Sequence, residues 1–74
     1  MPRLPRVSGR KLARAMEKAG FRTVRMHGDH AFMVHPDGRR TVVDLSRNTL
    51  PVGTIAGTIA EVGISAAELT RLLS

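Results

Sequence analysis

Phe21-Arg22-Thr23-Val24-Arg25-Met26-His27-Gly28-Asp29-His30-Ala31-Phe32-Met33-Val34-His35-Pro36-Asp37-Gly38-Arg39-Arg40-Thr41-Val42-Val43-Asp44-Leu45, residues 21–45, holds three short runs separated by two turn signals. Gly28-Asp29 parts the first run from the second, and Pro36-Asp37-Gly38 parts the second from the third. The spacing predicts strands at Phe21–Met26, His30–His35 and Arg40–Leu45, joined as an antiparallel meander. Alternation along the first strand places Val24 and Met26 on one side, with Thr23 and Arg25 opposite. Along the second, His30, Phe32 and Val34 share a face, while Ala31, Met33 and His35 share the other.

Upstream, residues 1–7 read as an extended arm, kept out of helix by Pro2 and Pro5. Ser8 is a good N-cap for a helix over residues 9–19, with Leu12, Ala15, Met16 and Ala19 at helical spacing and Gly20 as its stop. Val7 and Leu12 stand at the spacing of a hydrophobic staple. Arg10, Arg14 and Lys18 stack at i, i+4, i+8 as a basic ridge.

Downstream, Ser46–Pro51 is polar loop. A second helix is predicted over Val52–Val62, with Ile55, Ile59 and Val62 on one stripe and Gly63 ending it. Ser65 caps a third, with Glu68 completing a capping box, Ile64 and Leu69 as a second staple, and Leu69, Leu72 and Leu73 facing inward. The order α-β-β-β-α-α predicts an α+β fold, a three-stranded antiparallel sheet with its helices stacked on one face.

The whole chain, 74 residues, is expected to be one domain, 1–74, near the lower size limit for a single unaided core. It has no cysteine, which excludes disulfide staples and thiolate metal sites. No apolar run approaches the roughly 20 residues of a membrane-spanning helix, so no membrane role is expected. Met1–Arg6 carries positive charge with no apolar segment behind it, so no signal peptide is expected either, and a cytoplasmic location is.

Charge is distributed unevenly. Residues 1–25 carry eight Lys or Arg against the single acid Glu17, whereas residues 26–74 carry four against five acids. That asymmetry makes a field that attracts polyanions, nucleic acid foremost; a solvated face that keeps a small domain soluble is the alternative, but the one-sided excess is more than solubility requires. With no Trp or Tyr and only Phe21 and Phe32, the chain offers few rings on which to stack splayed bases. An RNA partner would be held through phosphates and 2′-hydroxyls, and the candidate contacts are Arg10, Lys11, Arg14, Arg22 and Arg25.

His27, His30 and His35 fall within nine residues. Histidine carries protons at neutral pH, and RNA brings its own nucleophile in the 2′-hydroxyl. His30 stands first after Gly28-Asp29, where a glycine lets backbone approach a substrate closely. A surface histidine at a strand end is the ordinary alternative for each of the three. Strand alternation separates His30 from His35, so no metal centre is expected, and no cofactor motif is present. Asp37 reads as turn chemistry, and Asp29 either caps its turn or orients a histidine.

Taken together, Leu4-Pro5-Arg6-Val7-Ser8-Gly9-Arg10, Leu12 and Glu17-Lys18-Ala19-Gly20-Phe21 resemble the opening helix of the HicA toxins of bacterial toxin–antitoxin pairs. Gly28-Asp29-His30 is similar to that family's Gly-Ser-His segment, and His35–Val43 to its hairpin. Pro51–Ile55 resembles the start of its second helix, and Ala60–Leu73 its C-terminal helix pair. The resemblance implies a fold like the double-stranded-RNA-binding domain and an endoribonuclease (mRNA interferase) acting on mRNA; a histidine beside a phosphate held by cations points to metal-independent transesterification, in which the 2′-oxygen attacks the adjacent phosphorus. The resemblance also implies His30 as the catalytic histidine and neutralisation by a HicB-like antitoxin. Two departures stand out. Asp29 replaces the family's serine, and Asp44-Leu45-Ser46 stands where members often show a proline and then a histidine. A non-catalytic RNA-binding module of the same fold, and a purely protein-binding partner, are the alternatives.

Overall fold

In the computed structural model, residues 4–74 are described. The elements are α1 (Gly9–Lys18), β1 (Arg22–His27), β2 (His30–Val34), β3 (Arg40–Asp44), α2 (Val52–Val62) and α3 (Ala66–Leu72). The strands form one antiparallel sheet in the order β1-β2-β3. This is the α+β layout expected, with helices packed on one face.

The predicted arm falls partly outside the described residues, at 1–3. From Leu4 to Val7 the chain has no regular structure, yet Val7 is buried and its carbonyl accepts the Leu50 N–H at 2.8 Å. Ser8 caps α1 by accepting the Lys11 N–H at 3.1 Å, and Gly9, Leu12, Ala15 and Met16 form the buried stripe. Gly9 is there because nothing larger fits. A Cβ on it would stand 1.8 Å from the Asp44 carbonyl oxygen.

Leu12, Met16, Met33, Val43, Ile55, Val62 and Leu69 are the largest fully buried side chains, drawn from α1, the sheet, α2 and α3. Both α1 and α2 pack on β3, and α1 packs on α3. The helices therefore cover β3 and β2, and β1 is exposed along its whole length. On α3, Ser65 accepts the Glu68 N–H as expected. The reciprocal half of the capping box is not made, because the Glu68 carboxylate turns forward to pair with Arg71.

Strand alternation holds on β2 and β3. Ala31, Met33, Thr41 and Val43 point into the core, and His30, Phe32, Val34, Arg40, Val42 and Asp44 point away from it. It fails on β1. Thr23 pairs with Met33, but the next pair is Arg25 with Phe32, so Val24 is the extra residue of a bulge. The bulge puts Val24 beside Arg25 on the outer face and returns Met26 to the inner one, opposite Ala31. The expected pairing of Val24 with Met26 on one side is thereby corrected.

Thr41 is 3% exposed and its hydroxyl has no hydrogen-bond partner among the described residues. A buried hydroxyl without a partner costs about 1–3 kcal/mol. Thr41→Val keeps the shape and removes that cost. It is expected to raise stability by about 1 kcal/mol, read as a higher urea midpoint at an unchanged slope.

Candidate nucleic-acid interface

His30 opens β2 on the outer face, and its side chain is 54% exposed. The turn before it is made by Gly28, at φ +60°, a left-handed conformation that costs glycine little. A side chain at Gly28 would meet nothing within 4 Å, so the turn leaves open space beside the strand end. The carbonyl of Asp29 accepts the Leu45 N–H at 2.8 Å, which ties the turn to the end of β3. His30 is thus held in place by main-chain pairing on both sides, while its ring stays free for solvent.

Register decides its neighbours. His27 of β1 and Asp44 of β3 are the direct cross-strand partners of His30, and paired side chains lie on one face. Asp44 Oδ2 is 3.9 Å from His30 Nε2 and 3.7 Å from Arg47 Nε. Its Oδ1 accepts from the Ser46 hydroxyl at 2.6 Å and from the Ser46 N–H at 2.9 Å. Those two bonds, the hydroxyl first, hold the Asp44 carboxyl below the usual carboxylate range, with His30 and Arg47 adding to the effect.

His35 has a different setting. It lies edge-on to Phe21 with ring centroids 5.1 Å apart, and its Nδ1 accepts the Asp37 N–H at 3.1 Å. Asp37 in turn accepts from Arg39 through the backbone N–H and through Nε at 2.8 Å, and these bonds lower its carboxyl pKa, the backbone one most. The Arg39 guanidinium also donates to the Val62 carbonyl at the end of α2. This end of the sheet is structural turn chemistry, as expected for Asp37.

The expected phosphate contacts divide into two sets. Arg25 lies on the outer face with its guanidinium 5.7 Å from the Phe32 ring centroid, one pair along from His30. Arg22, paired with Val34, shares that face at the far end of the strands. Arg10, Lys11 and Arg14 stand exposed on α1, on the other side of the sheet. Arg10 and Arg14 line a shallow cleft with Thr23, Ala31 and Leu45, and Lys11, Arg14 and Lys18 line another against the end of α3. Arg40 and Arg47 carry no site signal in the sequence, and Asp44 is marked there only as part of Asp44-Leu45-Ser46, not as a neighbour of His30. The signal that finds them is hairpin register: pairing Val34 with Arg40 across the turn sets Asp44 opposite His30.

Among the described residues, no three His, Asp or Glu side chains converge to hold a metal ion, and no single helix is long and apolar enough to cross a membrane. The family described as HicA toxin of bacterial toxin-antitoxin matches residues 9–64, from the first residue of α1 to the turn beyond α2. The chain belongs to the HicA toxin family. The chain is therefore a toxin of the toxin–antitoxin kind, a class whose members are paired with an antitoxin. No curated protein matches it. The matched span contains His30, both of its cross-strand partners and all five candidate phosphate contacts.

Proposed function

We propose that this chain is a cytoplasmic endoribonuclease that cleaves mRNA by metal-independent transesterification, with His30 as its acid/base. The observation that carries the reading is an exposed imidazole at an open glycine turn in a HicA chain. The neutral ring takes the 2′-hydroxyl proton as that oxygen bonds to the adjacent phosphorus. The phosphorus–O5′ bond breaks, and O5′ takes a proton from water. The products are a 2′,3′-cyclic phosphate and a 5′-hydroxyl.

Arg22 and Arg25 hold phosphates on the face of His30, and Arg10, Lys11 and Arg14 hold them along α1. The exposed β1 edge lies between the two sets. An RNA strand passing round that edge meets both. A HicB-like antitoxin silences the toxin by covering the His30 region or the α1 ridge, and a complex whose interface is remote from both would refute this.

One observation favours a non-catalytic RNA-binding module instead. Asp44 puts a carboxylate 3.9 Å from His30 Nε2, Asp29 is a second acid one residue before it in the chain, and like charge repels a phosphate. Incubating the purified chain with single-stranded mRNA in EDTA separates the readings. Cyclic-phosphate ends that persist in EDTA support the nuclease. Binding that weakens steeply with salt, without any cleavage, supports the module.

A further inference from the structure

On its Oδ1 side, the Asp44 carboxylate is fixed by both bonds from Ser46, and its Oδ2 is left facing the ring of His30. A separation of 3.9 Å is an ion-pair distance, longer than a hydrogen bond. The ring torsion χ2 of histidine has a broad well, so a small rotation closes that distance. Asp44 is the more constrained of the two, since two bonds to Ser46 hold its Oδ1 and the strand pairing holds its backbone. The fixed member of the pair is the carboxylate, and the movable one is the imidazole.

We propose that Asp44 is the positioning residue for His30, fixing its Nε2–H so that Nδ1 is the nitrogen offered to the ribose hydroxyl. This rests on the nuclease reading and deepens it. A neutral imidazole is a base at only one nitrogen, and its hydrogen-bond partner decides which. An acceptor at Nε2 draws the proton there and leaves the lone pair on Nδ1. Of the other ionisable groups, His27 is the cross-strand partner of His30 on β1, Asp29 precedes it in the turn, and Arg47 Nε lies 3.7 Å from Asp44 Oδ2. Arg47 shares Oδ2 with His30 and so competes for it, while Ser46 bonds only the other oxygen.

The test uses Asp44→Asn in the full chain. The amide oxygen still accepts from Ser46, but an NH₂ donor now faces the ring, which favours the wrong tautomer. Nitrogen-15 shifts of the His30 ring at pH 8 are expected to show Nε2–H in the parent protein and a shift toward Nδ1–H in the variant. The kcat for RNA cleavage is expected to fall about tenfold with KM unchanged, a fraction of the roughly 10²–10⁴ that acid–base catalysis supplies. Ser46→Ala, which loosens the carboxylate and leaves the ring facing an acid, is expected to fall between the two. An unchanged tautomer in Asp44→Asn overturns the proposal, and so does an unchanged kcat in a protein that cleaves. If the parent protein does not cleave, the nuclease reading fails by itself, and the tautomer measurement still decides whether Asp44 directs the ring.

Discussion

His30→Gln is expected to lower RNA cleavage by about 10²–10⁴-fold, the usual contribution of one acid–base group. The glutamine amide has comparable reach and polarity but carries no titratable proton. The imidazole makes no hydrogen bond among the described residues and is 54% exposed, so its loss removes little that holds the fold. Surface changes of this kind stay within about 0.5 kcal/mol, and the thermal midpoint is expected to move by no more than about 4 °C. RNA affinity should survive, because the phosphates are held by Arg22, Arg25 and the α1 cations. Single-turnover cleavage rates and fluorescence anisotropy on the same preparation make the comparison. Cleavage undiminished in a folded variant would sink the histidine mechanism and leave His27 as the next proton carrier on that face.

The helices and turns were legible because each is written in local chemistry. Ser8 and Ser65 cap the helices their positions predict, and α2 begins and ends where Val52 and Gly63 indicate. The faces of β2 follow from alternation alone, since one side is buried and a slip by one residue would invert it. On β1 that constraint is missing. Its residues are exposed on both faces, so hydrophobicity does not fix the register, and the bulge at Val24 left no trace in the pattern. His30 was found from its glycine turn, whereas its partner Asp44 lies 14 positions away and meets it only through strand pairing. By charge alone, Arg10, Lys11 and Arg14 belong with Arg22 and Arg25. Linear charge says nothing of which side of a sheet a cation occupies, and the structure sets the two groups on different sides.

Replacing Gly9 with alanine should do the most damage to the fold for the fewest atoms added. Its Cβ would fall 1.8 Å from the Asp44 carbonyl oxygen, 2.8 Å from the carbonyl carbon and 3.1 Å from Leu45 Cα. All three are backbone atoms, so no side chain can swing aside. The Gly9 N–H also donates to the Arg47 carbonyl at 2.9 Å, which fixes the start of α1 against the loop after β3. Either α1 lifts from the sheet or β3 gives way at its end, and overpacking of this kind costs about 3 kcal/mol. A domain of this size loses roughly 4–8 °C for each kcal/mol, so the midpoint is expected to fall by about 12–24 °C. Gly57→Ala is the control. It lies exposed on α2 with nothing within 4 Å of its added methyl, and replacing a helical glycine there should stabilise by about 0.5–1 kcal/mol. Because the strained contact is with Asp44, the Gly9 variant should also lose cleavage at temperatures where it remains folded, and Gly57→Ala should not. Equal stability of Gly9→Ala and the parent protein would mean that helix and strand do not meet as closely as this geometry requires, and the placement of Asp44 beside His30 would fall with it.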